Sequence, residues 1–324
     1  MLIGFRVAQR ALRPYANRFS PKKFTQHQLF ACLVLKESLR LDYRGATALL
    51  KDCPDLCAAI GLEIVPHFTT LQKAADRLLT TTRANRLLDE VVETCRRARL
   101  INHRIDQGAM DSSGFEAHHV SRYFVRRRET GGKFKGKKHT LKYRKFPKLA
   151  LLGDCRSHLV LAALPERGPC PDFGHIDVLV TGAQKRARMY ALAADAGYDA
   201  EWVHMFLRLI YGTRTVIPAM HGRPGSKPPR GYYRRLMKSR LNKKRYGQRW
   251  QVETIISVIK RRLGDCLGAC KVRMQRRALY LKVLVYNLMI LSVLRKVFYR
   301  AGRESLKAIS IISFSLTVYQ LRDK

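Results

Sequence analysis

The segment Lys243 to Gly264, KKRYGQRWQVETIISVIKRRLG, sets a single carboxylate, Glu253, among seven Lys and Arg residues. Going back along the chain from Glu253, no Asp or Glu occurs until Glu201. Wound as one helix at about 100° per residue, Tyr246, Arg249, Glu253 and Lys260 share a stripe roughly 60° wide, and Val252, Ile255, Val258 and Ile259 form a separate apolar face. The plainer reading is an exposed Arg249–Glu253 i,i+4 pair, worth roughly 0.2–0.5 kcal/mol. That reading leaves the acid-free approach unexplained. A divalent-cation site explains it: Mg2+ takes a few carboxylate oxygens together with waters and substrate phosphates. Phosphoryl transfer therefore needs two or three acids at one point and cations around them to hold a polyanion.

Two further acids follow apolar runs of strand texture. Asp111 ends the run GAM and precedes SSG, and Asp195 ends MYALAA and precedes AGYD. Sheets in α/β proteins place ligands and catalytic groups at the carboxyl ends of their strands. Taken singly, each has a plainer reading as a turn or cap residue. Three converging carboxylates could hold two cations about 4 Å apart, suited to in-line displacement at phosphorus. Without metal they would repel one another and titrate higher than usual. Other acids compete for the role: Asp106 would end the first strand if its register were shifted. Asp199 reads as the cap of a helix starting at Ala200, Asp154 as a hairpin-turn residue, and Asp265 as part of the turn after Gly264. His118 and His119 could approach DNA, though a solvated strand edge suits them better.

These residues need a scaffold of some size, and 324 residues provide one large domain or two modest ones. Lys and Arg total 63 against 24 Asp and Glu, a net charge of +39, which points to a polyanionic partner. Nucleic acid is favoured over a membrane, because many dispersed cations reward counterion release. The eight cysteines are scattered in the manner of a reducing cytoplasm. Cys53 with Cys57 and Cys266 with Cys270 are each one residue too widely spaced for a usual zinc ribbon, so the plainer reading is small buried hydrophobes. The opening MLIGFRVAQRALRPYANRF reads as a DNA-facing or solvated amphipathic segment. The run Val283 to Leu294 is too short to span a bilayer and reads as a buried core helix.

From Thr25 to about Leu100 apolar residues recur at helical spacing, predicting an all-helical region. Its PHFTTLQKAADRL segment, with Pro66 and the Thr69–Thr70 pair opening a helix that carries Lys73 and Arg77, suits either a helix-turn-helix-like groove reader or a plain packing helix. Beyond Ile101 short apolar runs come first as hairpins and then alternate with helices, which predicts a mixed α/β sheet covered by helices. Two basic linkers interrupt it, Arg122–Lys148 with twelve Lys or Arg and Gly222–Arg245 with ten. Both read as irregular arms whose cations and aromatics suit phosphates and bases.

The spacing Tyr-(2)-Arg-(3)-Glu-(6)-Lys at Tyr246, Arg249, Glu253 and Lys260 resembles the signature of insertion-sequence transposases of the DDE type. AMDSSGFEAHH is similar to that family's first-strand aspartate segment and LAADAGYDAEWV to its second. The helical HQLFACLVLKESLRLDYRGATALL and PHFTTLQ are also similar to the region that precedes the family's catalytic domain, so the resemblance covers roughly Phe24 to Ile290. It implies a ribonuclease-H-like mixed sheet flanked by helices, with Asp111, Asp195 and Glu253 as catalytic metal ligands and Tyr246, Arg249 and Lys260 as DNA contacts. It also implies two Mg2+ ions, replaceable by Mn2+, and cleavage at transposon ends followed by strand transfer. The implied partners are double-stranded DNA, both inverted-repeat ends and target, and a second copy of the chain, with no membrane, in a bacterial cytoplasm near the nucleoid. The expected organisation is a helical DNA-binding region at 1–100, a catalytic domain at 101–300 with a short basic insertion at 222–245, and a tail at 301–324. Two departures stand out. Ala196 replaces the family's usual Lys, and the insertion lacks the large β-rich element of some relatives, leaving any hairpin-forming step that depends on it without support. A DNA-binding relic without catalysis, and a nuclease of the same fold that does not join, are the competing readings.

Overall fold

The computed structural model describes residues 1–117, 145–219 and 229–301. Six helices come first: α1 (Leu2–Ala11), α2 (Gln26–Ser38), α3 (Tyr43–Asp52), α4 (Pro54–Ala58), α5 (Phe68–Leu78) and α6 (Thr81–Arg97). Their starts follow local capping chemistry. Thr25 and Gln28 form a reciprocal capping box on α2, and Asp42 and Thr80 cap α3 and α6. On α5 the cap is the His67 ring and not the Thr pair, which lies within the first turn. Leu71, Ala74, Ala75 and Leu78 bury one face of α5 while Lys73 and Arg77 stay exposed. The opening segment corrects its expectation: Val7 and Ala8 of α1 join the core, and Gly4 lies so close to Val34 that a Cβ there would sit 3.1 Å from its methyl carbon.

The sheet follows as β1 (Arg104–Gly114), β3 (Phe146–Asp154), β4 (Val160–Gly168), β5 (Arg188–Ala193) and β6 (Arg214–Val216). Its order is β4-β3-β1-β5-β6; β1, β3 and β4 are antiparallel, while β5 and β6 run parallel to β1. A hairpin joins the antiparallel β3 and β4, and crossover helices α7 (Ile176–Arg186) and α8 (Glu201–Met205, continuing as a π-helix to Ile210) accompany the parallel half. This is the ribonuclease-H-like arrangement. Asp154 is the hairpin residue it was expected to be, accepting hydrogen bonds from the Arg156 and Ser157 amides and the Ser157 hydroxyl.

The basic arm before the signature helix is not irregular where it is described. It forms α9 (Tyr232–Arg240) and α10 (Lys243–Gly247), leading into α11 (Trp250–Leu263). The cap of α9 lies outside its own sequence: both Glu201 carboxylate oxygens accept the Tyr233 and Arg234 amides. Gly231, at φ +102°, makes room, since a Cβ there would lie 2.2 Å from Glu201. Most of the first basic linker, with His118 and His119, and the 302–324 tail fall outside the described residues. Its last residue, Lys148, belongs to β3 and is buried against the Cys170 carbonyl.

After α11 a short strand β7 (Cys266–Leu267) pairs with β2 (Glu116–Ala117), and the long helix α12 (Val272–Ala301) closes the fold. Val283, Leu284, Val285 and Leu291 of α12 are buried as expected of a core helix. Asn287 satisfies the exposed edge of β4, taking the Val160 N–H and donating to its C=O. Buried side chains of α1–α6, the sheet and α12 form one continuous cluster. Among the described residues no helix is long and apolar enough to cross a membrane.

Candidate active site

Strand register fixes where the two aspartates stand. Ala109 of β1 pairs with Ala193 of β5 in the parallel ladder and with Gly153 of β3 in the antiparallel one. Side chains alternate between faces, so Gln107, Ala109, Asp111 and Ser113 share one face of β1. Helix α11 covers that face. A Cβ on Gly153 would lie 2.5 Å from Ile255 Cδ1, the Gln107 side chain donates to the Arg245 carbonyl at 2.7 Å, and Lys260 Nζ donates to Ser113 Oγ at 2.7 Å. The α10–α11 segment therefore runs alongside β1, from Arg245 of α10 near Gln107 to Lys260 of α11 near Ser113. Asp195 lies two residues beyond Ala193, as Asp111 lies two beyond Ala109, which puts both at the same level of the sheet.

Asp111 is three residues inside β1 and not at its end as expected; its Oδ1 accepts the Ser112 amide at 2.8 Å. Asp195 just follows β5 and accepts the Ala196 amide at 2.7 Å. Glu253 sits in the first turn of α11, exposed, with its Oε1 2.7 Å from Arg249 Nη2. The helix is interrupted near Gln248, so Tyr246 belongs to α10, yet the chain stays in right-handed helical conformation through Gln248 and Arg249. Tyr246 therefore keeps its place beneath Arg249, whose guanidinium carbon lies 5.9 Å from the Tyr246 ring. Val252, Ile255 and Ile259 are buried as the wheel required, with Val258 at the margin.

One guanidinium gathers the site. Burial lowers the pKa of Arg249, but Glu253, then Tyr246, Asp111 and Asp195 act against it and leave it raised above its ordinary value. All three candidate carboxylates thus lie within electrostatic reach of Arg249. They do not converge further: among the described residues, no three His, Cys, Asp or Glu side chains stand close enough to hold one ion. Carboxylate oxygens are the donors a hard divalent cation takes, and Asp111 and Asp195 stand at one level of the sheet.

Several residues near the site gave little warning in the sequence. Ser113 anchors Lys260, which also lies 5.2 Å over the Phe115 ring; only the odd-numbered alternation from Asp111 marks it. Asp106 is no strand end. It lies within β1 and takes Arg245 through both oxygens, at 3.0 and 3.2 Å, while Arg245 and Arg214 flank the Tyr190 ring. Asp199 does not cap α8. It is fully buried, 2.8 Å from Arg234 and 3.3 Å from His204 Nε2, while His204 Nδ1 meets Thr215 Oγ1 at 2.7 Å. A carboxylate only accepts, so Nε2 carries the proton and the Thr215 hydroxyl, itself accepting from Arg208, donates to Nδ1. Asp265 does lie in the turn after α11, where its carbonyl accepts the Glu116 amide. Cys32, Cys57 and Cys95 are buried as small hydrophobes would be.

Asp111 thus stands within β1, Asp195 just past the adjacent parallel strand β5, and Glu253 on the helix that covers β1. Residues 102–288 match the family model described as transposase DDE domain, and the chain belongs to that family. It is a DNA transposase, an enzyme that cleaves DNA and transfers the cut strand with the aid of a divalent metal. Three solved structures, each 12% identical, are similar over most of their length. A pre-cleavage Mos1 transpososome is covered to 82% by 87% of this chain with a TM-score of 0.21, and a Mos1 strand transfer complex to 81% by 86% with 0.23. A Mos1 mariner paired-end complex with Mn is covered to 86% by 89% with 0.22. No curated protein matches.

Proposed function

We propose that Asp111, Asp195 and Glu253 hold two Mg2+ ions, with Mn2+ able to substitute, and that Tyr246, Arg249 and Lys260 seat the DNA strand across them. What supports this reading is the shared level of Asp111 and Asp195 across the parallel β1–β5 ladder, with Glu253 on the covering helix 2.7 Å from Arg249. Bound there, the ions would acidify the attacking water and neutralise charge on the leaving oxygen. The chain's own groups do the rest. Arg249 neutralises the acids while the site is empty of DNA; an incoming phosphate gives its guanidinium a new partner and frees Glu253. Lys260, braced by Ser113, presents a second cation to the backbone. Water attack at phosphorus breaks the P–O3′ bond and leaves a 3′-hydroxyl. That hydroxyl then attacks a target phosphate, joining the element's 3′ end to target DNA and displacing the target's own 3′-oxygen.

The substrates of this reading are inverted-repeat ends and target DNA, engaged in the bacterial cytoplasm at the nucleoid by a homodimer that pairs two ends. The helices at 1–100 and the basic residues of α9 and α10 supply further phosphate contacts around a catalytic domain at 101–300. Strand cleavage with Mg2+ or Mn2+, on DNA carrying the sequences that flank the gene, tests it. Asp111→Asn, Asp195→Asn and Glu253→Gln should each abolish cleavage and keep DNA binding, and retained cleavage removes that residue from the site. Pre-cut ends separate a transposase from a nuclease that cannot join.

A further inference from the structure

A helix leaves its last carbonyls without partners inside itself. At the end of α11 two of these acceptors are taken by side chains from elsewhere in the chain: the Arg262 carbonyl accepts Arg40 Nε at 3.0 Å, and the Leu263 carbonyl accepts Lys282 Nζ. Arg40 lies just past the end of α2 and Lys282 sits on α12. The ammonium of Lys282 has a second partner, Glu37 Oε1 of α2 at 2.8 Å, with Lys36 3.4 Å from the other oxygen. The Lys282 and Glu37 side chains are 5% and 8% exposed. An apolar pair would fill that junction without the desolvation cost of two charges. What the ammonium adds is a donor and a positive charge at the carboxyl end of the helix that carries Glu253 and Lys260.

We infer that Lys282, oriented by Glu37, is a positioning residue for cleavage: it holds the last turn of α11, and with it Lys260 and Glu253, in place over β1. The inference rests on the reading of Glu253 as a metal-holding carboxylate. The route is short. Lys260 lies one turn before Leu263, and Gly264, at φ +86°, turns the chain at once into β7, whose pairing with β2 constrains the chain beyond the helix and not the helix itself. Through Glu37 and Arg40, the amino-terminal helices thereby reach the catalytic helix directly.

The test uses the full chain on a supercoiled plasmid bearing the DNA that flanks the gene, with Mg2+. Glu37→Leu with Lys282→Met removes the donor without stranding a buried charge. It should keep thermal stability and DNA affinity, yet lower kcat roughly tenfold, because small displacements of positioned groups are costly. Amide exchange over residues 258–263 should also speed up. Lys282→Arg keeps a donor and should restore both readouts. Should the double variant not fold, Arg40→Ala at an exposed position removes the other cap and should show the same exchange signature, with a smaller loss of kcat. Unchanged exchange and kcat in the double variant, or in Arg40→Ala if only that folds, overturns the inference. Cleavage by Glu253→Gln would instead overturn the reading of the site, leaving the exchange result to stand or fall alone.

Discussion

Two acid–cation pairs in this protein share nearly the same separation and differ in surroundings. Arg249 and Glu253 meet at 2.7 Å with side chains 23% and 50% exposed; Arg234 and Asp199 meet at 2.8 Å with Asp199 wholly enclosed. In the first pair water can replace either partner, so the attraction is weak and exchangeable. In the second, loss of one partner strands the other in a medium that solvates it poorly. Distance alone therefore does not separate a working pair from a structural one. On the proposed reading the open pair exchanges partners with phosphate and metal, while the closed one ties α9 to the segment between β5 and α8.

The comparison is broken most severely at the open site. Asp195→Asn or Glu253→Gln should lower cleavage by at least about a thousandfold, on the order of 4 kcal/mol of barrier, with an unchanged melting temperature. Cleavage assays paired with thermal melts check both halves. Either variant melting several degrees lower would make the acid structural. The reverse is expected at the closed site. Asp199→Ala should cost about 3 kcal/mol, the low end for a broken buried pair because Arg234 is partly exposed and can turn to water. Chemical denaturation measures it, and a loss below about 1 kcal/mol would mean the pair is not enclosed in solution.

Protonation offers a smaller perturbation of the same enclosed network. Burial lowers the pKa of His204 below its ordinary value, outweighing the opposing pull of Asp199, and burial lowers that of His158 as well. Each therefore takes up its proton at lower pH in the folded chain than in the unfolded one, which does so near pH 6.5. The sign comes from linkage: the unfolded state binds more protons below about pH 6.5, so stability should fall as pH drops through and below that value. Melting temperatures between pH 8 and 5 report it, and His204→Gln should flatten the slope in part. A flat profile in the parent protein would place both rings in water.

How much of this was legible in the sequence depends on whether the cause is local. The apolar wheel of Val252, Ile255 and Ile259 and the hairpin role of Asp154 are short-range patterns, and both appear as read. The mixed sheet was legible from strands first as hairpins and then alternating with helices. The helix α9 was not legible, because YYRRLMKSR carries no capping acid of its own and takes Glu201 from about thirty residues upstream. Asp199 failed for the same reason: the residue that holds it, Arg234, lies beyond the end of the adjacent parallel strand. Alternation along β1 made Ser113 a sheet-face neighbour of Asp111, but only the register of α11 shows that Lys260 lands on it.

The smallest effect expected on the fold, and the sharpest division between the two pairs, belongs to Arg249→Ala. As an exposed i,i+4 contact its loss should change stability by no more than about 0.5 kcal/mol. If the guanidinium leaves Glu253 for a phosphate, DNA affinity should weaken and the slope of log affinity against log salt should decrease by about one unit. The same variant removes the cation that competes for Glu253, so in the absence of DNA it should bind Mn2+ more tightly than the parent, readable by calorimetry without any turnover. Tighter metal binding with weaker DNA binding is the pattern that an exchangeable counterion requires. An unchanged salt slope together with a large loss of stability would instead class Arg249 with Arg234, as a strut.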